Sequence, residues 1–477
     1  MTFEFPRRVL GELIIHQKGH PFKSKDYQGS GVPIVRVSNF TDNSIDISDL
    51  KFVSTEVAQD SQKVELKTDD VVIATVGSWP KNPASIVGKT ICVPKEVDGA
   101  LMNQNSVILR IKNRCEIDQK YLFIALKNKS FSEYLVSMAQ GSANQASVTL
   151  SDIFSYELEW PSSEVRKEIV NIIDSKNKKI RLNQQTNQTL EQMAQAIFKS
   201  WFVDFDPVKA KIAALEAGGS EDDALLAAMQ AIAGSALFAT DAADADAQTQ
   251  LARLQAEHPE QYATLRATAE LFPSAMQESE LGEIPEGWEV TDFGAVSVCF
   301  DKHRIPLSKA QRDKRKGHIP YYGATSVMDY VDEHIFDDIF LLLGEDGSVL
   351  QKDDTPFIQY IWGKAWVNNH AHVLQGKGNV STEQILLFMK NQNIAPYVTG
   401  AVQLKLNQKN MNSIPFIKAT DEVCIAFNLL LKPMFADLRN REDESRKLSS
   451  LRDTLLPKLL SGEIDVSALA DNTEANA

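Results

Sequence analysis

EVRKEIVNIIDSKNKKIRLNQQTNQTLEQMAQAIFKS, Glu164 to Ser200, and EVCIAFNLLLKPMFADLRNREDESRKLSSLRDTLLPK, Glu422 to Lys458, are the stretches that decide the fold. Shifted by 258 positions, the first lies on the second without a gap. Val165, Ile169, Ile172, Ile173, Ile180, Leu190, Met193 and Ile197 fall on Val423, Phe427, Leu430, Leu431, Leu438, Leu448, Leu451 and Leu455. Spacings of three, four and seven residues keep these side chains on one helix face. A narrow apolar seam of this length predicts a coiled coil, each helix reaching on the order of 50 Å. An ordinary amphipathic core helix is the alternative. Asn183 and Asn187 stand near the seam, where polar groups fix register at some cost in stability.

The repeat extends outward from the helices. Gln145, Ser155, Arg181 and Leu190 return as Gln403, Ser413, Arg439 and Leu448. Upstream of each helix, Gly31–Val35 has a counterpart in Gly317–Tyr322, and Asp69–Ser78 in Asp337–Ser348. Both pairs alternate short β-rich runs with Gly, Pro and Asp punctuation. The expected class is α/β (α+β): two globular blocks and two long antiparallel coiled-coil helices, related by a pseudo-two-fold internal repeat. The segments are 1–160, first block; 161–208, first helix and aromatic segment; 209–289, acidic Ala-rich insertion and linker; 290–419, second block; 420–462, second helix; and 463–477, tail. The insertion reads KIAALEAGGSEDDALLAAMQ, helices broken at Gly-Gly-Ser. A duplex advances one turn in about 34–36 Å, so helices of this length suit a spacer between two readers on one duplex. Because the blocks differ, their half-sites are expected to differ.

The 477 residues carry 50 Lys+Arg against 64 Asp+Glu, a formal net charge of −14 that argues against a nucleic-acid binder when taken whole. Divided by segment, residues 211–290 hold 3 basic and 15 acidic side chains, while 1–160 hold 18 and 19 and 291–420 hold 14 and 13. The acidity therefore belongs to the insertion and leaves both blocks near neutral. No apolar run approaches the ~18 residues of a membrane span, and MTFEFPRRVLGEL lacks the apolar core of a signal peptide, so a cytoplasmic protein is expected. Cys92, Cys115, Cys299 and Cys424 form no C-x-x-C pair and read as buried free thiols.

Between Lys302 and Lys316, the cations Lys302, Arg304, Lys309, Arg312, Lys314, Arg315 and Lys316 face one internal acid, Asp313, a local charge of +6 suited to phosphate contacts. Lys18, Lys23 and Lys25, with His20, form a weaker counterpart in the first block. Candidates for base edges are Arg36, Trp79, Lys81 and Asn82 in the first block, and Tyr321, Tyr322, Trp362, Lys364, Asn368, Asn369 and His370 in the second. Each is equally at home in a structural role. Phe198, Trp201, Phe202 and Phe205 cluster just past a helix end and serve either as a partner-binding surface or as an interior cap of the coiled coil. No phosphate loop is present, since Pro83 stands where Gly88-Lys89-Thr90 needs its glycine. His370-Ala371-His372 offers two ligands on one strand face, but no sequence neighbour completes a zinc set and no metal is expected. No catalytic constellation emerges.

LNQQTNQTLEQMAQAIFKSWFVDFDPVKAK from Leu182, ELGEIPEGWEV from Glu280, PYYGATSVMDYVDEHIFDD from Pro320, LKLNQKNMNSIPF from Leu404 and LRDTLLPKLLSGEIDVSAL from Leu451 carry a resemblance that spans nearly the whole chain. With them the chain resembles a specificity subunit of a type I restriction-modification system. The resemblance implies a non-catalytic subunit that reads a bipartite, asymmetric target in double-stranded DNA, one recognition domain per half-site. It also implies two methyltransferase (modification) subunits and two restriction/translocase subunits as partners. Those subunits would perform adenine methylation and ATP-dependent restriction, using S-adenosylmethionine, ATP and Mg2+, with no cofactor on this chain. The acidic insertion and the absence of an IPEGW-like entry to the first block depart from the family pattern. A protein-only scaffold that recruits partners through its helices is the alternative.

Overall fold

The computed structural model describes residues 5–79, 87–142, 145–237, 247–400 and 402–466. The chain forms two compact units, one of Met1–Arg181 with Ser445–Ala477 and one of Leu182–Glu444. These units divide both long helices between them and absorb the insertion into the second, a grouping unlike the six segments read from sequence. Among the described residues, no helix is long and apolar enough to cross a membrane.

In the first unit an antiparallel four-stranded sheet runs in the order Ile14–Lys18, Ser106–Ile111, Val71–Ala74, Thr90–Cys92. Successive side chains on a strand point to opposite faces. Val71, Ile73, Val107 and Leu109 accordingly pack on one side with Tyr121 and Leu122 of helix Glu116–Leu126. Val72, Ala74 and Ile108 pack on the other with Ile34, Val53 and Leu66. A sheet buried on both faces needs unbroken apolar strands, which accounts for the run DDVVIATV. A second sheet orders Lys51–Val53, Val32–Val35 and Leu101–Met102, the last two parallel.

The second unit repeats this plan. Its sheet runs Ser297–Cys299, Ala371–Gly376, Phe340–Gly344, Ile358–Ile361. Leu341, Leu343 and Leu374 face one core, and Phe340, Leu342 and Val373 the other. Strand Lys316–Tyr322 lies parallel to Lys364–Val367, as Val32–Val35 lies to Leu101–Met102. In each unit the entry strand pairs antiparallel with the strand just before the long helix: Arg7–Val9 with Glu157–Glu159, and Glu289–Asp292 with Pro415–Lys418. The long helices, Ser163–Phe202 and Asp421–Leu460, have 40 residues each and start 258 positions apart, as the seam predicts.

Within the second unit these helices pack antiparallel. Asn183 Nδ2 donates to Arg441 O (3.3 Å) and Glu444 Oε2 (2.8 Å), and Asn187 Nδ2 to Leu438 O (3.2 Å). Both asparagines are buried, so the seam carries polar contacts that tolerate one register only. In the first unit Arg166, near the start of its helix, pairs with the buried Asp118 at 2.7 Å and lies 4.6 Å above the Trp160 ring.

The insertion is helical: Asp206–Glu216, Glu221–Leu237, Ala247–Glu257 and Pro259–Glu270. Gly218, with φ +84°, sits in the break after the first of them, and Ser220 and Asp223 cap the second reciprocally. All four cysteines are free. Only Cys424 is fully buried, and the other three are half-buried, contrary to the expectation for all four.

Candidate nucleic-acid interface

In the second unit Ser308 and Gln311 form a capping box, which starts the short helix Lys309–Lys314 ahead of the strand Lys316–Tyr322. That strand pairs with Val327–Val331, and the hairpin brings acids onto the cations. Arg312 bonds Asp329 at 3.1 Å, and Lys316 bonds the same carboxylate at 2.7 Å. Arg315 holds Asp332 at 3.0 Å and also pairs with Glu333. Arg304, largely buried, bridges Asp301 (3.2 Å) and Glu345 (2.7 Å). The Lys316 ammonium, with the Tyr330 N–H and Arg312, holds the Asp329 carboxyl down at about 2. The local charge of +6 is therefore partly met by acids of the same domain. Arg304, Arg312, Arg315 and Lys316 each hold an ion pair, and Lys302, Lys309 and Lys314 are the exposed cations of this segment that make no ion pair among the described residues.

In the first unit Lys18, Lys23 and Lys25 are exposed and likewise unpaired among the described residues. Lys18 and His20 line an open cleft of about 250 Å³ with Asp60 and Lys63. Lys63 had no signal in the sequence, because only the fold brings the turn Gln62–Val64 beside the strand Ile14–Lys18.

The base-edge candidates divide sharply. Tyr321 is 1% exposed, its hydroxyl accepting the Leu307 N–H at 2.9 Å with Arg312 stacked 5.0 Å over its ring. Tyr322 belongs to an interior cluster. Asn368 is buried, and its Oδ1 accepts the His370 N–H to shape the turn. Trp362 Nε1 donates to Asp443 of the second long helix at 3.1 Å. Arg36 holds Asp49 at 3.1 Å across its loop, and Trp79 Nε1 donates to Ser142 O at 2.8 Å. Buried Tyr321, Tyr322 and Asn368 are committed to the fold and are corrected from the list of free readers; Arg36, Trp79 and Trp362 are half-buried, each with a polar partner. Lys364 and Asn369 remain exposed; half-exposed His370 is paired with Asp346. Lys81 and Asn82 lie outside the described residues.

The aromatic cluster is also corrected. Phe198, Trp201, Phe202 and Phe205 are each at most 6% exposed. Trp201 meets Phe427 at 5.5 Å and Phe272 edge-on at 5.1 Å; Phe202 and Phe205 each reach Trp288 at 5.7 Å. Phe205 takes a left-handed conformation, φ 57°, to aim its ring inward, a strain of order 1 kcal/mol that the packing holds in place. These rings are an interior hub, with no face left for a partner.

Two stretches of the chain, residues 5–192 and 285–417, match the family described as Type I restriction modification DNA specificity domain. The chain belongs to that family. The two matched stretches coincide with the two repeats of the sheet plan. The HindI specificity subunit of a type I restriction enzyme from Haemophilus influenzae is 28% identical over 460 residues, covering 88% of this chain and 93% of the relative. The MjaIX specificity subunit from Methanocaldococcus jannaschii is 21% identical over 376 residues, 73% of this chain and 70% of the relative. The crystal structure of a type I restriction-modification S subunit from M. genitalium shares the fold at a TM-score of 0.50 and 14% identity, covering 96% of each chain.

Proposed function

We propose that this specificity-subunit chain reads a split, asymmetric DNA target, one half-site per recognition domain, and itself performs no chemistry. The observation that carries this reading is the duplicated domain plan. Two matched stretches, 5–192 and 285–417, share one topology and present different side chains. Lys302, Lys309, Lys314, Lys18, Lys23 and Lys25 contact phosphates, while Lys364, Asn369 and His370 are left to approach bases. Two modification subunits methylate adenine with S-adenosylmethionine and two restriction subunits cleave with ATP and Mg2+, in the cytoplasm. This chain supplies the address and no catalytic cofactor.

The test is to co-express the chain with its modification subunit and map methylated adenines genome-wide. Methylation at two defined half-sites separated by a fixed unread gap is expected. Methylation without a split consensus would sink the proposal. The scaffold alternative predicts no dependence of methylation pattern on this chain.

A further inference from the structure

Among the described residues, no base-edge candidate of the first unit is fully exposed, whereas Asn369 of the second unit is. The hydrogen bonds around Asn369 identify its counterpart. In the second unit the Asn368 N–H donates to Tyr322 O at 3.1 Å, and the Glu345 N–H donates to His370 O at 2.8 Å. In the first unit the Asn103 N–H donates to Val35 O at 2.9 Å, and the Thr75 N–H donates to Asn105 O at 2.8 Å. Each turn follows a strand paired in parallel, Met102 with Val35 and Val367 with Tyr322, and each leads into a strand of the four-stranded sheet. Val148 and Leu406, 258 positions apart, close the pattern by donating to the carbonyls of Thr75 and Glu345. Asn103-Gln104-Asn105 and Asn368-Asn369-His370 are therefore the same turn, residue for residue. The two turns are not themselves 258 positions apart, so sliding the sequence on itself leaves them unaligned.

Within each turn the structural tasks fall on the outer residues. Asn103 Oδ1 accepts the Gln104 N–H at 2.6 Å, and Asn105 takes the left-handed conformation, φ 65°, that asparagine tolerates. Asn368 Oδ1 accepts the His370 N–H at 2.8 Å, and His370 pairs with Asp346. The middle side chains, Gln104 and Asn369, are exposed and make no hydrogen bond among the described residues. Both are nonetheless carboxamides.

Cations stand beside both turns. Gly19 packs so close to Asn103 that a Cβ there would lie 1.9 Å from its carbonyl oxygen, which seats Lys18 and His20 next to the first turn. In the second unit the Phe300 N–H bonds Val373 O at 2.8 Å and Arg304 Nη1 bonds Ala371 O at 2.6 Å. The intervening turn Asp301–His303 thereby holds Lys302 at the same end of the sheet as Asn369. Duplex readers use this division of labour, a cation on phosphate and a second side chain on a base edge. A carboxamide carries a donor and an acceptor side by side, the pattern that matches the N7 and N6 amine of adenine in the major groove.

We propose that Gln104 and Asn369 are the corresponding base-reading side chains of the two domains, each making a bidentate contact to one adenine of its half-site. The assignment rests on the proposed split target and supplies the first domain with its reader.

The test maps methylated adenines genome-wide for the assembled methyltransferase carrying Gln104→Ala, Asn369→Ala or neither. Gln104→Ala should relax a single A·T position in one half-site, and Asn369→Ala a single A·T position in the other, with discrimination there falling roughly 5–150-fold. Both variants should keep the wild-type Tm. Gln104→Glu, which can only accept, should shift its position towards cytosine, a change that lost packing cannot produce. A split wild-type consensus that either alanine variant leaves unaltered would overturn the assignment and leave the proposed function standing. So would relaxation of a G·C position, action of both variants on one half-site, or an equal loss at all sites with the consensus unchanged. A wild type without a split consensus would instead remove the proposed function, and this assignment with it.

Discussion

Replacing Lys302, Lys309 and Lys314 together by Ala removes cations that hold no carboxylate among the described residues. For every phosphate that these lysines neutralise, the slope of log affinity against log salt should fall by about 0.9, measured on the assembled methyltransferase. An unchanged slope would take this segment off the DNA. Arg315→Ala should instead spare the slope and lower Tm, because it leaves Asp332 and Glu333 without their partner. Asp329 gives the same hairpin a pH dependence. Its carboxyl is held at about 2 against an ordinary 3.8, so the anion stabilises the fold above 3.8 and that contribution is lost as pH falls through 2. The Tm gap between wild type and Asp329→Asn should therefore be full at pH 7 and narrow from pH 4 downward. At this scale the sequence was least legible. Seven cations in fifteen residues were visible, but the acids that engage them arrive from a paired strand, the turn after it and, for Arg304, a distant loop.

At the scale of elements the sequence was most legible, because helical and strand periods are local and survive without tertiary knowledge. The 258-residue offset anticipated two long helices of matching length, each 40 residues in the structure, and the counterparts Asp69–Ser78 and Asp337–Ser348 both hold a central strand of a doubly buried sheet. The aromatic cluster was ambiguous for a physical reason: the wall that encloses it comes from Phe427 and from Phe272 and Trp288, beyond the insertion. With those rings interior, the face to test for partner binding is the outer side of the second long helix, where Ile425 and Leu429 are 46% and 69% exposed one turn apart. Leu429→Asp should keep the fold and abolish co-elution with the modification subunit on size exclusion. Undiminished co-elution would exclude this face.

At the scale of the whole molecule, the acidic total traces to a segment that is part of the second unit's interior as well as its surface. Met229, Ile232 and Leu251 of the insertion share one core with Trp201 and Trp288. Burial of each contributes about 1.5–3 kcal/mol, a large share of the ~5–15 kcal/mol that holds a domain folded. Excising residues 209–270 should thus yield insoluble or strongly destabilised protein, read from soluble yield and Tm; a stable, DNA-competent deletion would make the insertion a true appendage. The antiparallel strand pairs Arg7–Val9 with Glu157–Glu159 and Glu289–Asp292 with Pro415–Lys418 have a different consequence. In each unit the chain enters and leaves through neighbouring backbone, as at the boundary of an inserted domain. Everything between the two strands of a pair is then a cassette, replaceable in one recombination event that leaves the helices untouched. If each domain reads one half-site, as proposed, a lineage carrying this fold can change half of its address at a time, acquiring a new target while keeping the machinery that acts on it.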